Sequence, residues 1–221
     1  MSADRTVGGW GAIASLTTAV LTVGIAYGSQ SQMAGLPGWL VLALAVGVLG
    51  ASSELLFVGM LAAGGAPLLA AVAALLVNLR NIVYGVAAGR FLRRGALRWL
   101  GAHFVNDETV AFAAAQEGAA DQRRVFWRLG SLILVAWPLG TIIGLMLGTA
   151  VDPGVLGLDA VFPVVILAML LPTLRDSDTR LAAGIGAGVA TASVALTPAG
   201  VAPLLALTGV FGPVLKRKLR R

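Results

Sequence analysis

Long apolar stretches alternate with short polar or basic segments along the 221-residue chain. We mark seven apolar regions by residue number: a (7–27), b (36–63), c (66–89), d (99–116), e (126–149), f (156–171) and g (181–215). A spanning helix needs about 20 apolar residues, so regions a, c and e are long enough and region f is slightly short. Region g, which Thr197 and Pro198 divide, has the length of two short helices in a hairpin.

Composition indicates that lipid is the solvent for most of this surface. Hydrophobic residues make up 58% of the chain and charged residues only 12%, whereas a soluble domain carries about 25% charged residues. The chain has no cysteine, which excludes disulfides, thiolate metal sites and cysteine nucleophiles. Arg5 precedes region a without a convincing cleavable signal, so we expect a permanent helix there. We predict one membrane domain, residues 1–221.

Basic clusters predict how the regions cross the membrane. They follow region c (Arg90, Arg93, Arg94, Arg98), follow region d (Arg123, Arg124, Arg128) and end the chain (Lys216, Arg217, Lys218, Arg220, Arg221). The positive-inside rule places all three in the cytoplasm, while the loop with Asp152 should face outward. These assignments agree only if regions b and d enter the membrane and return to the same side. The prediction is an all-α polytopic protein with about six spanning helices, two broken or re-entrant segments and both termini cytoplasmic.

Both predicted re-entrant regions carry carboxylates in their middles. Region b contains Gly50-Ala51-Ser52-Ser53-Glu54, where a helix break would expose a half-helix N-terminus that attracts an anion. Glu54 would accept an ammonium group, or would instead be a protonated carboxyl that is hydrogen-bonded to a neighbouring helix. Broken helices of this kind are how many transporters build a site at the midplane.

Region c places an arginine at membrane depth. At 100° per residue, one side of this helix is polar or small (Asn78, Arg80, Asn81, Tyr84, Gly85) and the other is aliphatic (Leu79, Ile82, Val83, Val86). Arg80 precedes Arg90 by about 15 Å of helix, near the midplane, where an arginine costs at least about 2.5 kcal/mol. It therefore contacts substrate or couples ions, or it is a structural ion pair with Glu54 or Asp107; both can hold.

Region d carries Asn106-Asp107-Glu108 at a similar depth. Asp107 and Glu108 point in different directions on a helix, and either Asn106 or Asp107 is an alternative N-cap. His103 and Asp107 have a spacing that suits a metal, but the chain has no other histidine, so we predict no metal. An intramembrane enzyme built on His103, Asp107 and Glu108 would lack a nucleophile or a full ligand set. A purely structural subunit would not need a polar face at this depth.

Region e has two structural features. Gly140, Gly144 and Gly148 recur every fourth residue, a pattern typical of a helix-packing seam. Pro138, after Trp137, predicts a kink.

Four motifs in order resemble the AzlC family, the large subunit of branched-chain amino-acid exporters, over residues 7 to 215. They are Gly50-Ala51-Ser52-Ser53-Glu54-Leu55-Leu56, Asn78-Leu79-Arg80 with Tyr84-Gly85, Asn106-Asp107-Glu108, and Trp137 with Gly140, Thr141 and Gly144. Asn81 stands where the family usually has histidine, and Asn106 where it usually has threonine. The resemblance implies export of Val, Leu, Ile or Met, and a small AzlD-type membrane protein as partner.

The leading hypothesis is a secondary transporter in the cytoplasmic membrane of a prokaryote, and not an enzyme. Nothing resembles an ATP site and no cofactor is expected, so we expect an ion gradient, of protons in the leading hypothesis, to drive export. The candidate substrate-binding residues are Ser52, Ser53, Glu54, Asn78, Arg80, Asn81 and Tyr84, and the candidate ion-coupling residues are Asp107 and Glu108. Arg80 and the half-helix ends would hold the substrate carboxylate, while Glu54 and Asp107 would hold its ammonium group.

Overall fold

The computed structural model describes residues 9–92, 95–150, 167, 171, 173–197 and 201–219. Outside them lie Arg5, Arg93, Arg94, Asp152, Pro198, Arg220, Arg221 and most of region f. The described residues are helical and contain no strand, which confirms the all-α prediction. The α-helices are α1 (Trp10–Met33), α2 (Gly38–Gly47), α3 (Ala51–Ala62), α4 (Pro67–Asn78), α5 (Arg80–Ala88), α6 (Leu97–His103), α7 (Asp107–Ala114), α8 (Ala119–Ala150), α9 (Ser177–Val194), α10 (Val201–Ala206) and α11 (Phe211–Leu219).

Three helices in the described part of the chain are long and apolar enough to cross a membrane. They are Trp10–Met33, Pro67–Ala88 and Ala119–Thr149, which correspond to regions a, c and e. The second consists of α4 and α5, which Leu79 joins through a single turn. The aliphatic side that the helical periodicity predicted faces outward, with Ile82 and Val86 65% and 82% exposed. A soluble protein would bury such a face, so the exposure fits a lipid-facing surface.

Helices α1 and α8 form the scaffold through a seam of glycines. A Cβ atom on Gly24 would lie 2.9 Å from the Trp137 carbonyl oxygen, and one on Gly144 would collide with the backbone of Ile25. The two backbones can therefore approach only because glycine stands at these positions, which confirms the predicted seam. The guanidinium of Arg128 lies over the Trp10 ring at one end of this pair. Gly148 faces Gln32 at the other end, so the two helices run parallel.

Segment α2–α3 is re-entrant. Gly38 faces Leu145, so α2 starts near the Gly148 end of the scaffold. The chain breaks at residues 48–50, where Leu49 has a φ of 50°. The 22-residue span Pro67–Ala88 is about 33 Å long. Its last residue clusters with Phe126 near the Trp10 end, so its first lies at the Gly148 end. Helix α3 reaches that start through the tight turn at residues 63–66 and has therefore returned to the end where α2 began.

Segment α6–α7 is re-entrant from the opposite end. Gly101 of α6 faces the indole of Trp127 near the Trp10 end. After a break at residues 104–106, Val110 and Ala113 of α7 share a hydrophobic cluster with Phe126 at that same end. The two re-entrant segments thus enter from opposite ends of the scaffold, as the charge pattern predicted.

Helices α9 to α11 form the predicted hairpin of region g. Gly186 of α9 packs against the backbone of Ala206, and the Lys216 ammonium lies 2.8 Å from the Asp178 carboxylate at the open end. Leu204 packs on the cluster of Met60, Ala70 and Ala73, which joins the hairpin to α3 and α4.

Two predicted details of the breaks are corrected. Region b is interrupted at residues 48–50, and Ser52, Ser53 and Glu54 lie in the first turn of α3 rather than in the interruption. Region c forms one span, as expected, but this span has a one-residue turn at Leu79 between α4 and α5. Helix α8 continues through Pro138, and the kink expected there stays a prediction.

Candidate functional site

Three helix breaks within residues 9–92 and 95–150 meet at one polar cavity. They are the breaks of α2–α3, α4–α5 and α6–α7, and α1 and α8 close the cavity from the scaffold side. Its volume is about 60 Å³. The lining residues are Val20, Leu49, Gly50, Ala51, Ser52, Arg80, Asn81, Asn106, Asp107, Glu108, Ile133 and Trp137. Residues far apart in sequence therefore meet at mid-depth of the scaffold.

Arg80 bridges the two re-entrant segments. Its Nη2 donates to Ser52 Oγ at 2.6 Å and to Asp107 Oδ1 at 3.2 Å. The side chains of Arg80 and Asp107 are 38% and 36% exposed, so the pair borders open space rather than a sealed interior. The predicted ion pair thus forms with Asp107. The buried Nε of Arg80 has no hydrogen-bond partner among the described residues, which leaves a donor available to a ligand.

The stretch around the α4–α5 break concentrates further unpaired polar atoms. Asn78 Oδ1 and Asn81 Oδ1 are buried and have no hydrogen-bond partner among the described residues. Buried polar atoms are almost always paired in native proteins, so unpaired ones indicate a position for water or ligand. Together with Arg80 Nε, they place both acceptors and a donor at this break.

Glu54 has a different environment from the one that the sequence suggested. It is 2% exposed, and its Oε1 accepts from the Gly50 backbone N–H at 2.8 Å. Oε2 accepts from Trp137 Nε1 at 3.2 Å, and the Trp137 ring stacks on Tyr27 with ring centroids 5.3 Å apart. The carboxylate therefore ties the α2–α3 break to the scaffold and does not line the polar cavity. Sequence reasoning missed this bond, although a buried indole N–H needs an acceptor.

The break of α6–α7 is closed by its own side chains. Asn106 Oδ1 accepts from the Thr109 backbone N–H at 2.8 Å, and Thr109 Oγ1 accepts from the Asn106 N–H at 3.2 Å. This capping box makes Asn106 the N-cap of α7 and leaves Asp107 and Glu108 in the first turn. Both carboxylates line the polar cavity at a helix N-terminus, where the helix dipole favours negative charge.

The remaining candidate residues differ in which cavity they line. Ser53 donates to the Gly50 carbonyl oxygen at 2.8 Å, and both Ser53 and Asn78 line an adjacent apolar cavity. Asn81 lines the polar cavity and also a third cavity beside α6. Tyr84 packs against the hydrophobic cluster around Phe91 and is not among the residues that line these three cavities.

His103 is separated from the two carboxylates of α7. Its Nε2 lies 2.8 Å from the Val46 carbonyl oxygen, and the residue lines the third cavity rather than the polar one. The grouping of His103, Asp107 and Glu108 that an intramembrane enzyme would require is therefore not assembled in the described residues. His103 instead joins α6 to the end of α2.

Comparison with known proteins identifies the family. A family model described as AzlC protein matches residues 15–151. The chain belongs to the AzlC family. The matched residues include both re-entrant segments, the α4–α5 break and Trp137, so the polar cavity lies wholly within the AzlC region. No curated protein and no solved structure matches the chain. Membership of the AzlC family associates the chain with membrane transport rather than with catalysis.

Proposed function

We propose that this AzlC protein is a secondary transporter that exports branched-chain and similar small hydrophobic amino acids. The observation that carries the proposal is the meeting of three helix breaks at a cavity bordered by Arg80, Asp107 and Glu108. A cation and two carboxylates at membrane depth are costly, and such groups usually mark a path for a substrate or an ion. Such a set matches the carboxylate and ammonium groups that every amino-acid substrate carries.

Arg80 and the start of α3 would hold the substrate carboxylate. Arg80 Nε has no partner within the described part of the chain, and the N-terminus of α3 begins at the cavity wall with Ala51 and Ser52. Helix N-termini and guanidinium groups both favour anions. Asp107 and Glu108 would receive the ammonium group, because both border the cavity while the oxygens of Glu54 are already engaged.

Proton exchange at Asp107, with Glu108 in support, would couple export to the proton gradient. A substrate ammonium beside Asp107 favours its charged form, and departure of the substrate favours protonation. Alternation between these two states links substrate release to proton uptake. Arg80 takes part because its ion pair with Asp107 competes with both the proton and the substrate.

The proposed setting is the cytoplasmic membrane of a prokaryote, with both termini in the cytoplasm. The chain has no cysteine, so single cysteines can be placed cleanly. A cysteine at Gly64 should label from outside, and one at Gly95 or Gln122 only from inside. Labelling of position 64 exclusively from the cytoplasm would contradict this orientation.

A small AzlD-type membrane protein is the proposed partner. The family resemblance supports it, and so do helices α10 and α11, which are too short to cross a bilayer alone. Counterflow of labelled leucine in proteoliposomes, with and without this partner, tests both proposals. We expect exchange only with the partner present. Equal transport by the purified chain alone would refute the partner, and no transport of any aliphatic amino acid in either preparation would refute the transporter.

A further inference from the structure

The polar cavity is too small for a whole branched-chain amino acid. Its volume is about 60 Å³, less than half of the about 150 Å³ that accommodates one benzene molecule in a protein interior. The charged groups of the substrate can therefore meet Arg80 and Asp107 there, but the aliphatic side chain needs space elsewhere. Such space exists on the other side of the same helix breaks.

An apolar cavity of about 270 Å³ lies between α2, α3 and α4. Its apolar wall consists of Leu44, Val48, Phe57, Ala71, Ala74 and Leu75. The polar residues that line it in the described part of the chain are Ser53, Glu54 and Asn78, which all lie at or next to the breaks. The cavity is thus polar at the end near Gly50 and apolar elsewhere, which suits a ligand with a polar head and an aliphatic tail.

The two cavities share one thin wall. Residues 49–52 face the polar cavity, while Val48, Ser53 and Glu54 face the apolar one. On either side of Leu79, Asn78 likewise faces the apolar cavity and Arg80 faces the polar one. At Gly50 the wall has no side chain, and a Cβ atom there would lie 2.8 Å from Ser53 Oγ and 3.1 Å from Asn78 Oδ1, which has no hydrogen-bond partner among the described residues. A ligand head group bound at Arg80 would therefore lie across the Gly50 backbone from the apolar cavity.

We infer that the apolar cavity is the side-chain subsite of the transporter, and that Phe57, Ala71 and Ala74 set which aliphatic side chains are accepted. The inference rests on the proposed function and assigns the substrate's two ends to two sides of the α2–α3 break. The volume admits the isobutyl group of leucine, since it exceeds what benzene requires. The two alanines leave that volume open, and Phe57 bounds it.

The test compares substrates of different size in cavity variants. Ala74→Leu and Ala71→Leu fill the cavity, and Phe57→Ala enlarges it. The full-length chain is reconstituted in proteoliposomes, with the small partner if transport depends on it, and kcat/KM is measured for leucine, valine, alanine and phenylalanine. We expect the filling variants to lower the leucine-to-alanine ratio by about tenfold or more, because one methylene in an apolar pocket changes discrimination by that order. Phe57→Ala should raise the phenylalanine-to-leucine ratio.

A matched control and a distinguishing outcome complete the experiment. Ala87→Leu makes the same change at an exposed alanine of the same span, away from the cavity, and should leave the ratios unchanged. Because ratios are compared, a variant with less folded protein still reports selectivity, and Phe57→Ala tests the subsite in the opposite direction. Unchanged ratios in all three cavity variants, with wild-type transport of leucine intact, would overturn the subsite and leave the transporter standing. A wild-type protein that moves none of these amino acids would refute the proposed function, and the subsite with it.

Discussion

The two re-entrant segments, α2–α3 and α6–α7, differ in the hydrogen bonds that satisfy the backbone at their breaks. Each breaks a helix at membrane depth, where free backbone groups are costly because no bulk water can bind them. In α6–α7 the break is satisfied locally, by the reciprocal bonds between Asn106 and Thr109. In α2–α3 the Gly50 N–H is likewise satisfied within the segment, by the Glu54 carboxylate four residues on, but this carboxylate also accepts from Trp137 on the scaffold.

Because of this difference, the carboxylates of the two segments have different roles. Because Asn106 caps its own helix, Asp107 and Glu108 are left to face Arg80 and the polar cavity. Because its two oxygens accept from the Gly50 N–H and from Trp137, Glu54 is not free for a substrate. The role of each carboxylate therefore depends on which group satisfies the nearby backbone and not on its depth in the membrane.

The largest expected effect is at Arg80, which both segments contact. Arg80→Gln should abolish transport, because the bonds to Ser52 and Asp107 both lose their charge. Arg80→Lys should be impaired, since a point charge replaces a planar fork. Transport is measured at equal protein levels in the membrane, with Arg98→Gln, an exposed arginine outside the cavity, as control. Full activity in Arg80→Gln would show that this residue is neither a substrate ligand nor an essential ion pair.

The next effect concerns proton coupling by α6–α7. Asp107→Asn should lose gradient-driven export yet keep substrate exchange, because asparagine cannot carry a proton. Its cap is unaffected, since Asn106 supplies it. The measurement is accumulation against a gradient across a range of pH, beside counterflow. Asp121→Asn removes a carboxylate from the exposed pair with Arg124 and serves as control. Accumulation by Asp107→Asn with wild-type pH dependence would assign the proton to Glu108 or Glu54.

A smaller effect, on stability, should appear at Glu54. Glu54→Gln can accept from Gly50 or from Trp137 but turns an N–H₂ donor toward the other, which costs about 1–3 kcal/mol. Trp137→Phe removes one of the two donors, so the double variant should be more stable than the sum of the single changes predicts. Thermal unfolding in detergent gives these values. Wild-type stability of Glu54→Gln with loss of transport would mean that Glu54 binds substrate instead.

Sequence reasoning reached the architecture because its signals are strong at membrane depth. Apolar length marked three spans, and basic clusters forced the two re-entrant segments that packing at Phe126 and Leu145 supports. The positions of the breaks were less accessible, since a shift of a few residues leaves hydropathy unchanged. Glu54 was misplaced because its partner Trp137 lies 83 positions away, and no local pattern reveals such a bond. The Arg80–Asp107 pair was foreseen only as one of two choices, because helix periodicity fixes a face but not its neighbour.

The smallest effect, and the sharpest test of the contrast between the segments, is at Asn106. If the α6–α7 break is self-satisfied, Asn106→Ala should lower the free energy of unfolding by about 0.5–2 kcal/mol, the usual cost of a lost N-cap. Asn106→Thr, the residue more usual in the family, should cost only a few tenths of a kcal/mol, because a threonine hydroxyl can also accept from the Thr109 N–H. Asp176→Ala removes the exposed N-cap of α9 and should cost a similar amount without affecting transport. Asn106→Ala should in addition raise KM, since α7 carries Asp107 and Glu108 at the cavity. Equal stability of Asn106→Ala and wild type would show that the capping box does not hold this break, and the contrast with Gly50 would fail.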